Sequence, residues 1–264
     1  MQRTVSSHME LDIMGRTNMV MSIAAATTNS LGSEALSVTL DGMALTPTEL
    51  VDRRGTRLHQ LVADAGRMTI DYTATVTGTG VPVELNPLDE ISFLRPSRYC
   101  ESDSLTPTAR SEFAGLYGHD LLAAVSSWVG SKLRYVPGSS QATDGAEETL
   151  LARRGVCRDY AHLVIALLRA RDIPARMVSV YAPGLTPMDF HAVCEAYVDG
   201  IWHVVDATAL APRQSLVRIA TGRDAADTAF LTNHWSDLIL RELTVTAVAD
   251  ALPRDDVREL VELL

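Results

Sequence analysis

Residues 155–181 read GVCRDYAHLVIALLRARDIPARMVSVY, and residues 190–208 read FHAVCEAYVDGIWHVVDAT. The first stretch opens at a glycine, carries an apolar block from Ala161 to Leu168 and stops at Ile173-Pro174. A residue before proline avoids the helical region, so the spacing predicts a helix over 157–171. That helix is apolar on most sides and should be buried. ARMVSVYA, which follows, has the β-branched character of a strand. The second stretch holds two more strands, HAVCEAYV and IWHVVDA, around Asp199-Gly200, a dipeptide suited to a tight hairpin turn. A buried helix feeding an antiparallel sheet is an α+β arrangement.

These two stretches also hold the chemistry. Cys157 stands at the predicted helix start, where unpaired backbone N–H groups and the positive end of the macrodipole favour an anion. Such a position favours the thiolate, the nucleophilic form. Taken alone, it is also the place of a small buried hydrophobe, the common fate of a free cysteine. His162, five residues on, lies roughly 140° away around the helix and cannot easily face Cys157. Asp159 points away too and is free to meet first-turn N–H groups. The hairpin offers a better base. A two-residue turn at Asp199-Gly200 pairs Val198 with Ile201 and Tyr197 with Trp202. In that register His191 and Asp206 share a face as diagonal neighbours, within reach of a side-chain hydrogen bond. A carboxylate beside an imidazole fixes its tautomer and stabilises its cation. On its own, a structural His–Asp bond explains the pair equally well.

The two stretches resemble the cysteine segment and the histidine and aspartate segments of bacterial transglutaminase-like proteins, the second following a HAW.E.Y..G.W...D.T pattern. LRYVPGSS (133–140) looks like the same group, so the resemblance covers about residues 115–210. It implies a papain-like transglutaminase core, with the helix-start cysteine packed on an antiparallel sheet, and a preceding β-sandwich-like domain. It also implies Cys157 as nucleophile, His191 as general base and acid, and Asp206 as orienting carboxylate. Oxyanion or pocket candidates are the backbone N–H of Cys157, with Tyr135, Ser139 and Ser140. The implied activity is thiol-dependent acyl transfer through a thioester, in a cysteine peptidase or amidase acting on a peptide or protein amide. A protein-glutamine transglutaminase, or an inactive scaffold keeping the fold, is the alternative. One departure concerns the pocket wall: relatives carry Trp or Phe after His-Ala, where this chain has Val193-Cys194. Strand parity turns Cys194 away from His191 and into the core.

Outward from this centre, residues 9–80 read as short β-branched strands punctuated by Gly, Asp and Pro, including a hairpin dipeptide at Asp41-Gly42. The expected division is a β-rich domain over 1–95 and a catalytic domain over 96–264. VPVELNPLDEISFLRPSRYCESDSLTPTAR (81–110) reads as a proline-rich linker on the surface or wrapped onto the second domain, with Cys100 incidental within it. His119 to Tyr135 and Ala146 to Arg153 read as helices, SLVRIATG and LILRELTVTAVA as strands, GRDAAD (222–227) as a capped turn opening a helix, and RDDVRELVELL as a terminal amphipathic helix.

Composition narrows the partners. Lys and Arg number 23 against 33 Asp and Glu, a net charge of −10, which disfavours nucleic acid and anionic membranes. Three cysteines are too few, and odd in number, for a disulfide framework, which suits a reducing cytoplasm. The N-terminus MQRTVSSHMELDIMG lacks a secretory apolar stretch, and no run approaches the ~18 apolar residues of a membrane span. Metal and phosphate motifs such as HExxH, paired CxxC and glycine-rich loops are absent, so no cofactor or metal is expected. Self-association into a homo-oligomer stays open, with the β-rich block able to serve it or to cover the cleft.

Overall fold

The computed structural model describes residues 1–82 and 86–264. The chain opens with seven strands: β1 (Gln2–Ile13), β2 (Thr17–Met21), β3 (Leu31–Leu40), β4 (Met43–Leu45), β5 (Thr48–Val51), β6 (Arg57–Ala63) and β7 (Gly66–Thr77). Then come α1 (Pro87–Leu94), α2 (Thr106–Glu112), α3 (Gly118–Lys132), β8 (Arg134–Tyr135), α4 (Ala146–Ala152), β9 (Arg154–Gly155) and α5 (Cys157–Arg169). The rest comprises β10 (Ala175–Tyr181), β11 (Phe190–Val198), β12 (Ile201–Val205), β13 (Val217–Gly222), α6 (Ala225–Thr228), β14 (Leu231–His234) and β15 (Leu238–Ala249).

Period-two burial builds the first layer. Along β1, Arg3, Val5, Ser7, Met9, Leu11 and Ile13 are buried while their neighbours are not. Two antiparallel sheets, β15-β1-β7-β3-β4 and β14-β2-β6-β5, share one apolar core that includes Val5, Met19, Leu61, Ile70 and Val245. The strands of residues 231–249 thus belong to this sandwich. β1 is twelve residues long, and β7 covers only one of its edges. β15 covers the other, from Arg3 opposite Ala249 to Ile13 opposite Leu238. An open edge that long would leave a row of backbone donors and acceptors unpaired.

The second layer is a four-stranded antiparallel sheet ordered β12-β11-β10-β13. Its turn uses Asp199 and Gly200, both with positive φ (52° and 83°), the type I′ geometry that matches strand twist. Val198 faces Ile201 and Tyr197 faces Trp202, the register read from the sequence. α5 lies on this sheet with α3 and α4 packed against it, and from Tyr160 to Arg169 every residue of α5 is buried. Alternate residues of β11 enter different cores: Cys194 and Ala196 join the helical one, Val193 the one on the other side. The sandwich and the sheet are in direct contact, since Tyr181 of β10 stacks on Tyr72 and donates its hydroxyl to the Ile23 carbonyl.

Of the two readings given for the proline-rich stretch, the structure shows the wrapped one, and the reading of the C-terminus changes. The proline-rich stretch holds two short helices, and it wraps onto the core: Cys100 and Phe93 are fully buried, and Phe93 packs edge-on against Trp202. Within 81–110, residues 83–85 lie outside the described part. The terminal amphipathic helix does not form. Residues 252–264 run as an irregular strap with a turn at 257–258, in which the Val204 N–H donates to the Val261 carbonyl at 2.8 Å. Arg213 binds the Asp255 carboxylate and the carbonyls of Asp256 and Glu259. Those tertiary bonds take backbone groups that a helix would use internally, and propensity in a short segment is too weak to compete.

Candidate active site

Cys157 is the first residue of α5 and is partly exposed, whereas Cys100 and Cys194 are buried. Asp159 is fully buried, and its Oδ2 accepts the Val156 N–H at 2.8 Å, capping the helix start. Arg158 neutralises the same carboxylate, with Nη2 2.8 Å from Oδ1. A side chain at Gly155 would strike Asp159, its Cβ falling 2.6 Å from that of Asp159. The glycine before Val156-Cys157 therefore makes room for the carboxylate that shapes the turn.

β11 and β12 bring His191 and Asp206 together. His191 Nε2 lies 2.9 Å from Asp206 Oδ2, and both residues are buried. Asp206 Oδ1 accepts from the backbone N–H and the hydroxyl of Thr208, at 2.8 and 2.7 Å. These bonds and the His191 charge outweigh burial and hold the Asp206 carboxyl below its ordinary range. For His191, burial works against the cation. The Asp206 charge and hydrogen bond, with a smaller contribution from Cys157, overcome it and raise the imidazole to about 10. The second nitrogen, Nδ1, is buried and has no hydrogen-bond partner of good geometry among the described residues. The Cys157 thiol lies close enough to act on this ring by hydrogen bonding and by charge. An imidazolium held between a carboxylate and a thiol can stabilise a thiolate and deliver a proton.

Of the three pocket candidates, Tyr135 alone reaches the thiol. Burial, followed by the charge of Cys157, pushes its hydroxyl up to about 12, and the Cys157 N–H and side chain act on it as well. It is therefore a neutral donor at physiological pH. β8 holds it there through parallel pairing of Tyr135 with Gly155, two residues before Cys157. Ser139 donates instead to the Val136 carbonyl at 2.7 Å. Ser140 is bound to Asp159 and Arg158. Both hydroxyls are engaged in the turn and its cap.

The other histidines stand apart. His162 is fully buried, stacks on Tyr99 and accepts the Ala225 N–H at 3.2 Å, and burial lowers it to about 4. His119 and His203 meet ring to ring at 5.1 Å and line a cavity of about 680 Å³ between α3, β12 and the strap. Asp206 forms part of that wall, but Cys157 and His191 do not, so the cavity lies beside the thiol site. Among the described residues, the one convergent group of metal-competent side chains is His8, Glu10 and Glu242, on the sandwich. Thr208 and Asp189 were passed over in the sequence. The Asp-Ala-Thr spacing was a legible signal for Thr208, because a carboxylate readily accepts the N–H two residues on. Asp189, two residues before His191, carried no such signal.

Known proteins bear on this arrangement. The sequence profile described as Transglutaminase-like superfamily matches residues 111–207, the segment holding Cys157, His191 and Asp206. An uncharacterised protein of Mycobacterium leprae is 32% identical over 123 residues, covering 44% of this chain and 44% of its own length. An uncharacterised protein of Mycobacterium bovis is 42% identical over 62 residues, 24% of this chain and 20% of its own. The chain thus matches less than half the length of either curated relative. The crystal structure of a candidate cysteine protease from Cytophaga hutchinsonii shares 33% identity, covers 100% of this chain and 96% of its own, and has a TM-score of 0.88. A relative that similar over its whole length, with the family profile lying across the cysteine, histidine and aspartate segments, shows that the chain belongs to the transglutaminase-like superfamily.

Proposed function

We propose that this protein is a thiol-dependent acyl-transfer enzyme of the cysteine peptidase or amidase type. Cys157 is its nucleophile, His191 its general base and acid, and Asp206 the carboxylate that orients the imidazole. The observation that carries this reading is the buried His191–Asp206 bond, which leaves Nδ1 for a thiol at the start of α5. In the reaction the Cys157 sulfur adds to the amide carbon, the carbon–nitrogen bond breaks, and the imidazolium proton goes to the leaving amine. His191 then takes a proton from water as water opens the thioester. In this reading the Cys157 N–H and the Tyr135 hydroxyl stabilise the oxyanion, which the influence of Cys157 on that hydroxyl supports.

The substrate is a peptide or protein amide. Water is favoured as acceptor because the fully matched relative is named for protease activity. An amine acceptor would make the same machinery a transglutaminase. No described helix is long and apolar enough to cross a membrane. With all three cysteines free, we place the reaction in a reducing compartment such as the cytoplasm.

The test combines intact-protein mass spectrometry with a panel of peptide amides, with and without an added primary amine. Wild type should gain an acyl mass at residue 157, and Cys157→Ala should not. Release to acid supports hydrolysis, and release to a new amide supports transamidation. Wild type that never acylates, with Cys157 alkylated by iodoacetamide no faster than a free cysteine at any pH, would favour an inactive scaffold.

A further inference from the structure

Asp189 immediately precedes β11, and positions two apart along a strand share a face. Phe190, between Asp189 and His191, turns into an aromatic cluster with Tyr181 and Phe230. Asp189 lies two residues before His191, whose charge acts on its carboxylate. Its Oδ1 accepts the Phe190 N–H at 2.7 Å, which orients the carboxylate without neutralising it. Burial raises its carboxyl, the Phe190 N–H and then the His191 charge oppose that rise, and no arginine or lysine forms a salt bridge with it among the described residues. Its own charge reaches the Tyr135 hydroxyl, which touches Cys157.

The nearby cation does not offset this. Arg158 follows Cys157, but its guanidinium is occupied by Asp159, Ser140 and the Gln141 carbonyl. With the thiolate, the His191 imidazolium and the Asp206 carboxylate in place, Asp189 leaves the site with an excess of negative charge. A surface carboxylate beside a nucleophilic thiolate opposes its formation unless something cationic is bound there.

We infer that Asp189 gives the amine side of the Cys157 cleft a preference for cationic groups. These are a lysine- or arginine-type side chain following the scissile amide, or the far ammonium of a diamine acceptor. The amine side is assigned from the proposed acyl transfer, on which the inference rests: His191 delivers its proton to the leaving nitrogen, so what lies beside His191 belongs to that half of the substrate.

The test needs no substrate. Trimethylammonioethyl and sulfonatoethyl methanethiosulfonate both transfer their thioalkyl group to a thiolate and release methanesulfinate, and they differ in charge. With Cys100 and Cys194 fully buried, Cys157 is the cysteine they meet. The ratio of cationic to anionic rates cancels any change in thiolate fraction. Asp189→Asn should lower that ratio about tenfold, the size expected for one unit charge at close range near the surface. Asp189→Glu should retain it. A ratio that changes less than twofold in Asp189→Asn, or falls equally in Asp189→Glu, overturns the assignment. The two readings fail separately. A ratio that falls although no acyl-enzyme ever forms sinks the acyl-transfer reading and keeps the charge assignment. Acylation with an unmoved ratio does the reverse.

Discussion

Replacing Asp206 with asparagine keeps the shape of the group beside His191 and removes its charge. The imidazole is raised from 6.5 to about 10 although burial opposes the cation. That rise corresponds to roughly 5 kcal/mol in favour of the imidazolium, shared between Asp206 and Cys157. Without the carboxylate, burial is opposed by Cys157 alone, and the imidazolium loses its main support. Acyl-enzyme formation should then fall by roughly three to four orders of magnitude, as when an orienting carboxylate is neutralised at comparable sites.

Stability should respond with a definite sign. A folded-state value raised above the unfolded one means the His191 contribution is full below pH 6.5 and is lost as pH rises through about 10. The Asp206 carboxyl is depressed, so its contribution is present above 3.8 and lost as pH falls through its lowered value. Both contributions are therefore complete between about pH 4 and 6.5. Urea unfolding from pH 6.5 to 10 should show wild type losing stability, on the order of a few kcal/mol, relative to Asp206→Asn. Imidazole proton resonances give the direct readout. A wild-type His191 titrating near 6.5, or an Asp206→Asn variant with an unaltered pH profile, would refute the reasoning.

Three other outcomes follow from the packing. Glu195 is buried between Arg176 and Arg218, with Arg Nη2 to carboxylate distances of 2.7 and 2.6 Å. Glu195→Gln should cost about 3–5 kcal/mol in urea unfolding while the folded fraction still alkylates at Cys157. Tyr135→Phe removes the hydroxyl that meets the Cys157 N–H. It should lower kcat roughly tenfold to a hundredfold with KM nearly unchanged, and a pure KM effect would exclude an oxyanion role. Truncation after Ala251 removes the buried side chains Val261 and Leu263 and the partner of Arg213. It should cost about 3–5 kcal/mol in a thermal melt, and an unchanged Tm would show that the strap contributes nothing.

The amino-acid order alone determined a good deal of this protein. The helix opening at Cys157 and the hairpin register follow from local rules: the helical period, the strand alternation, and the backbone demands of Asp199-Gly200. Those rules were enough to place His191 and Asp206 side by side and to set His162 aside. Tertiary structure decided what no local rule encodes. β15 lies against β1 because a twelve-residue edge needed a partner, and that partner is more than two hundred residues away in the chain. The last residues form a strap because Arg213 and the edge of β12 bind their backbone. Ser140 is engaged in the turn because its hydroxyl donates to Asp159. The role proposed for Asp189 rests on its place beside His191, which only the fold brings next to the thiol. Periodicity along a chain specifies faces and turns; which buried carboxylate is matched, and which surface one is not, depends on groups that meet only when the chain has closed.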